Sequence, residues 1–169
     1  MAPRNTEQRT RDVRQKLRNE VDLWVASAGG EGDAYLVPLS FYWDGARLIL
    51  ATPANSRTAR NLRRAGEARF ALGPTRDVVI LEGPVTFIPR DVIDDALATA
   101  HAQKTGFNPR QITEEYVYIQ VIPQMIQAWR EADELSGRFV MRDGRWLVGD
   151  GENGDAMDTI AAVPAGQSA

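Results

Sequence analysis

The chain contains no cysteine in its 169 residues. That excludes disulfides, thiolate metal sites and a cysteine nucleophile. No apolar run approaches the about 18 residues that a membrane-crossing helix needs, and the polar, basic N-terminus lacks the apolar centre of a secretory signal. The chain therefore reads as a soluble, intracellular protein of the cytoplasm. Charge of one sign is not in excess: the formal net charge is -3, which provides no global field to draw in nucleic acid. Histidine is nearly absent. The single one, His101, has no evident orienting partner or nucleophile of the kind a catalytic imidazole requires, so a packing or surface role is expected. Asp94-Asp95 and Glu114-Glu115 lack metal-ligand spacing and read as solvated helix-end charges. Gly29-Gly30-Glu31-Gly32 is followed by no helix, so it is a hairpin turn rather than a phosphate loop. Lysine is scarce, two against 18 arginines, a bias of GC-rich genomes that carries no mechanism. There are no internal repeats.

What is present fits one domain with a proper core: 43% hydrophobic and 25% charged residues. Thr6 to Asn19 predict an amphipathic helix with a thin stripe at Val13 and Leu17. Strands follow at Val21 to Ala28, Ala34 to Trp43 and Arg47 to Thr52, the last two joined by the hairpin signal Asp44-Gly45. A helix is expected from Arg57 to Ala65, stopped by Gly66. Next come strands at Ala68 to Leu72 and at Asp77 to Ile88, the latter bent at Gly83-Pro84. Asp91 to Lys104 predict a helix with Ile93, Leu97 and Ala100 on one face. A strand from Tyr116 to Ile122 continues past Pro123 to Arg130, and a second Asp-Gly hairpin joins Phe139–Met141 to Trp146–Val148. Short connections imply antiparallel pairing, and open edges favour a closed or half-closed barrel. The expected organisation is an N-terminal helix (1–20), a barrel domain (21–148) and a frayed tail rich in Gly, Asp and Ala (149–169).

The most informative junction runs from the strand Leu48 to Thr52, through Pro53-Ala54-Asn55-Ser56, into Arg57-Thr58-Ala59-Arg60-Asn61-Leu62-Arg63-Arg64. Asn55 or Ser56 can cap the helix, yet its first turns carry guanidinium groups that oppose the helix dipole. An anion resolves the conflict, because free N–H groups, hydroxyls and arginines together hold phosphate. The alternative is a solvated basic face. Arg57, Arg60 and Arg64 share one face, with Asn61 four residues on from Arg57, whereas Arg63 points elsewhere and is expected in solvent.

Val37-Pro38-Leu39-Ser40-Phe41-Tyr42-Trp43-Asp44-Gly45, then Leu48 to Thr52, then Ser56 to Arg64, resembles the pyridoxamine 5′-phosphate oxidase-like family of flavin and deazaflavin proteins. The resemblance spans roughly Asp22 to Arg130 and rests on the combined order of these segments. It implies a mainly β fold, a six-stranded antiparallel split barrel with flanking helices. It also implies a homodimer with cofactor sites at the interface. Ser56, Arg57, Thr58, Arg60 and Asn61 would then hold a phosphate, and Pro38, Ser40, Ala51 and Thr52 would flank the ring. Trp129, with Arg130, would reach toward the partner's site; the alternative is a core tryptophan with a surface arginine. Many relatives carry lysine where Thr58 stands, so the cationic role passes to Arg57 or Arg60. Two cofactors stay open, FMN and coenzyme F-420, whose glutamate tail Arg57, Arg60, Arg63, Arg64 and Arg69 could meet. The implied activity is hydride transfer to or from a small organic substrate, in which the cofactor carries the chemistry. The other reading is a non-catalytic protein of the same fold that buffers a cofactor or sequesters haem. No nucleic-acid or membrane partner is expected.

Overall fold

A computed structural model describes residues 2–148; the expected tail lies outside the described residues. Helix α1, Thr6–Asn19, starts in a capping box: the Asn5 side chain accepts from the Gln8 N–H while the Gln8 side chain accepts from that of Asn5. Its stripe, Val13 and Leu17, is buried in the main core.

The strands are β1 (Asp22–Ala28), β2 (Ala34–Trp43), β3 (Leu48–Pro53), β4 (Glu67–Leu72), β5 (Val78–Pro89), β6 (Tyr116–Val121), β7 (Met125–Trp129), β8 (Phe139–Arg142) and β9 (Arg145–Trp146). Helices α2 (Arg57–Ala65) and α3 (Asp95–Thr105) lie between β3 and β4 and between β5 and β6. The order β4-β1-β2-β3-β6-β5 closes on itself through a β4–β5 pairing. This is the expected six-stranded antiparallel barrel, and closure removes its open edges. Strand alternation fills the interior: Leu23 and Val25, Leu48 and Leu50, Phe70 and Leu72, Val79 and Leu81, and Ile119 and Val121 all point inward. Each such burial stabilises by about 1.5–3 kcal/mol.

β5 exchanges partners halfway. Val78 to Glu82 pair with β7, and Val85 to Pro89 pair with β6. Gly83 stands between the two sets. A Cβ there would lie 2.4 Å from the carbonyl oxygen of Ile122, so only glycine lets the partner chain turn around Pro123 at this distance. The bend expected at Gly83-Pro84 and the continuation past Pro123 are two sides of one crossing.

The helix expected from Asp91 begins instead at Asp95. The Asp94 side chain accepts from the Leu97 N–H at 3.0 Å and caps it, while Val92 and Ile93 turn back onto the Pro89 carbonyl. Ile93 is therefore buried but outside the helix, and the helix face that is fully buried carries Ala98 and His101, with the expected Leu97 half-buried against the same cluster. Ala98 packs in a small cluster with Ile49, Ile93 and Tyr118 on the outer face of the barrel.

The N-terminus is held by charge. Arg4 reaches Asp12 and Glu134 at 2.7 Å each and Asp77 at 3.4 Å; Lys16 lies 2.9 Å from Asp77. Arg130 is no isolated surface arginine: it bridges Asp12 and Asp77 at 3.4 and 3.3 Å. Among the described residues, no helix is long and apolar enough to cross a membrane, and no cluster of His, Asp and Glu could hold a metal ion.

Candidate functional site

Two neighbouring regions collect the site residues expected from sequence. The first is the start of α2. Ser56 caps it: its Oγ accepts from the Ala59 N–H at 3.1 Å and lies 3.0 Å from Thr52 Oγ1. Gly66, with φ 74°, closes it in the left-handed conformation that glycine favours. The helix has no acidic residue in its first turn, yet its guanidinium groups have partners. Arg57 pairs with Asp33 of the β1–β2 turn and stacks 4.5 Å over Tyr35. Arg60 donates to the Asn55 carbonyl, and Arg64 to the carbonyls of Ala28 and Gly29. Arg63 is exposed, as expected, and it also donates to the Ala54 carbonyl at 2.6 Å and lies over Phe87 at 4.6 Å. Much of the basic face thus ties flanking loops to the helix. Arg69, on β4, pairs with Glu82 at 2.7 Å. Thr58 and Asn61 are buried, and Asn61 Nδ2 donates to Ser27 Oγ of β1 at 3.1 Å.

The second region is a groove of about 320 Å³ on the outer face of the barrel. Outward positions of β2 (Pro38, Ser40), β3 (Ala51, Pro53) and β6 (Tyr116) line it, joined by Asp22, His101 and Phe107. Ser40 Oγ donates to Asp22 Oδ1 at 2.6 Å. The Phe107 and Tyr116 rings meet at 5.2 Å, and burial with nearby Glu114 pushes the Tyr116 hydroxyl up. His101 is 1% exposed, and burial holds its imidazole down at about 4, so it is neutral near pH 7. Its ring meets Tyr118 edge-on at 5.4 Å. Neither His101 nitrogen nor the Tyr118 hydroxyl has a hydrogen-bond partner. Leaving such a buried group unpaired costs about 1–3 kcal/mol.

Pro38, Ser40 and Ala51 therefore share one groove, whereas Thr52 points inward and joins Ser56. Trp129 is not among the groove walls; it is half-buried at the end of β7, opposite Val78. The sequence gives no sign that Asp22, Phe107 and Tyr116 join this groove; His101, expected in a packing or surface role, is buried on the packed face of α3 and also forms part of the groove wall. The available signal for His101 was its spacing, three residues after Ala98 on a helix capped by Asp94.

A family model described as pyridoxamine 5′-phosphate oxidase matches residues 10–129. No curated protein matches the chain. Several solved structures share the fold. One is a protein related to general stress protein 26 (pyridoxinephosphate oxidase family) from Clostridium acetobutylicum, 13% identical, with a TM-score of 0.56 over 74% of this chain and 90% of that one. Another is described as an F420 reductase, 16% identical, TM-score 0.54, covering 66% and 93%. A third is a heme binding protein from Mycobacterium smegmatis, 17% identical, TM-score 0.63, covering 85% of this chain and 60% of that one. At these identities the likeness is one of fold. The family match, over most of the barrel, carries the assignment: the chain belongs to the pyridoxamine 5′-phosphate oxidase family.

Proposed function

We propose that this chain binds a flavin-type cofactor, FMN or coenzyme F-420, in the outer groove and serves hydride transfer to or from a small organic substrate. The observation that supports this most is that Pro38, Ser40 and Ala51 line a single groove that extends to Pro53, whose carbonyl accepts from the N–H of Ser56, the cap of α2. The residues present fit such a group. The groove offers flat apolar walls in Pro38, Ala51, Phe107 and Tyr116, with polar groups at Ser40 and Asp22. On the anionic side, the first N–H groups of a helix lack intrahelical acceptors, and Arg57 presents a guanidinium now matched by the Asp33 carboxylate. A phosphate would take the place of that carboxylate, and a guanidinium can hold it through two parallel N–H bonds. When bound, the cofactor ring accepts or donates the hydride; the chain's own groups orient it and exclude water.

The working unit in this reading is a homodimer. Trp24 and Leu36 are 47% and 58% exposed and lie on the outward face of β1 and β2, beside the groove residue Pro38. A second copy covering that strip would wall the groove from the other side.

The test is a titration of FMN and, separately, of F-420 against the wild type and Arg57→Ala. Loss of a charge-assisted phosphate contact costs about 1.5–3 kcal/mol, or roughly 10- to 100-fold in affinity. Unchanged binding by Arg57→Ala would move the phosphate off α2, and no binding of either cofactor by the wild type would end the reading. A second reading, cofactor buffering or haem sequestration without turnover, draws on the groove's single charged wall residue, Asp22, which is already engaged by Ser40. Bound chromophore with no hydride transfer to any acceptor would favour it.

A further inference from the structure

We infer that His101, backed by Tyr118, is the groove's hydrogen-bonding contact for the polar edge of a planar heterocyclic ligand and sets which ring the groove accepts. This rests on reading the groove as the ring site. The two side chains hold the three unpaired buried polar atoms on this face of the barrel: both imidazole nitrogens and the Tyr118 hydroxyl. They touch each other edge to face without bonding to each other, so neither satisfies its neighbour. Packing alone does not call for these atoms. The surrounding cluster is Ile49, Ile93 and Ala98, and phenylalanine at either position would fill the same space with nothing left unpaired.

The placement connects them to the groove. Tyr118 faces Ala51 across the β3–β6 pairing, and His101 itself forms part of the wall together with Pro38, Ser40 and Ala51. A neutral imidazole offers one donor and one acceptor, and the phenol adds a donor. That set is complementary to a ring edge on which N–H and C=O groups alternate, as in a lactam or imide. It is not complementary to a hydrocarbon edge. The nitrogens are sealed in the free chain, so engagement requires α3 to shift; the helix is anchored on this face by Ala98 and His101, with Leu97 half-buried against the same cluster.

The experiment measures FMN affinity, the absorption spectrum of bound FMN, and the thermal midpoint of the cofactor-free protein for wild type, His101→Phe, His101→Gln and Tyr118→Phe. The inference expects tenfold or greater weakening with both phenylalanine variants and a shifted bound spectrum. It also expects midpoints equal to or above wild type, because unpaired buried atoms have been removed. His101→Gln, which keeps a donor and an acceptor, recovers part of the affinity. Wild-type binding of FMN with variants that match it within twofold and show the same spectrum would overturn the inference and leave the groove assignment standing. A fall in the midpoint of all three variants in proportion to their loss of binding would also overturn it, marking a packing role. Failure of the wild type to bind FMN or F-420 removes the groove assignment and this inference together.

Discussion

Glu134 shows how one side chain secures the N-terminal helix. Its carboxylate is 3% exposed, accepts from the Arg4 guanidinium, and also accepts from the backbone N–H groups of Arg4 and Arg130. The Arg4 hydrogen bond holds the carboxyl down from 4.5 to about 2, against the opposing effect of burial. A depressed folded-state value gives stability that is present above pH 4.5 and lost as pH falls toward about 2. Asp77, lowered by Lys16 and Arg130 against burial, acts with the same sign. Acid titration followed by circular dichroism should therefore show stability falling across that window, and Glu134→Gln should flatten the fall while costing about 3 kcal/mol at neutral pH. Constant stability down to pH 3 would contradict the assignment. The Arg57–Asp33 pair behaves differently. Both side chains are largely exposed, so the pair itself stabilises by about 0–1 kcal/mol. Its consequence lies in competition: Asp33→Ala frees the guanidinium, and FMN should bind about threefold tighter at low salt, a gain that fades as ionic strength screens the charge. Weaker binding by Asp33→Ala would show that the aspartate supports the site rather than competing for it.

β5 serves two partners, and Gly83 is the residue that permits it. Gly83→Ala puts a methyl group 2.4 Å from a backbone carbonyl oxygen that cannot rotate away, so the crossing must open and the pairing on one side must give. A loss of about 2–4 kcal/mol is expected by denaturant unfolding, at the high end for a single methyl because strain rather than a cavity causes it. An unchanged midpoint would mean the two half-strands are not locked at this point. This element was legible in advance, since Gly-Pro in a strand pattern marks a bend and Pro123 marks its partner. The boundaries of α2 were legible for the same kind of reason: a hydroxyl cap at Ser56 and a glycine stop at Gly66 are local signals. α3 was less so, because Asp91, Asp94 and Asp95 all offer caps and only the packed structure selects Asp94. The arginines of α2 were legible as a basic face, but their partners were not. Arg60, Arg63 and Arg64 bond to main-chain carbonyls, and carbonyls leave no mark in a sequence. The groove was half legible: its β2 and β3 positions came with the family resemblance, and strand alternation then separates Ala51, which lines it, from Thr52, which points inward, but Asp22, His101 and Phe107 arrive from distant segments that only the closed barrel brings together.

Among the described residues, the barrel interior is closed and apolar, while an outer strip on β1 and β2 is left exposed. Inward residues of β1 and β2, Leu23, Val25 and Phe41, are at most 3% exposed, so the apolar residues alternating with them have no core to join. Isolated exposed apolar side chains are ordinary, but here they are neighbours across the ladder: Trp24 faces Pro38 on one side and Ala71 on the other, and Ala26 faces Leu36. Adjacent apolar outward positions on paired strands form a patch, and patches of this kind mark association surfaces. The patch also meets the groove at Pro38, so a copy seated on it would cover the proposed ring site rather than a remote face. Leu36→Asp tests this cleanly. The side chain is 58% exposed in the single chain, so the substitution leaves the barrel fold intact, while in the proposed dimer it buries an unpaired carboxylate. Sedimentation at micromolar concentration should give twice the chain mass for the wild type and the single-chain mass for Leu36→Asp, with an unchanged circular dichroism spectrum. FMN affinity should fall at least tenfold in the same variant, because half of the groove's cover leaves with the partner. Full FMN affinity in a Leu36→Asp monomer would show that each barrel holds its ligand alone, and a dimeric Leu36→Asp would place the contact on another face.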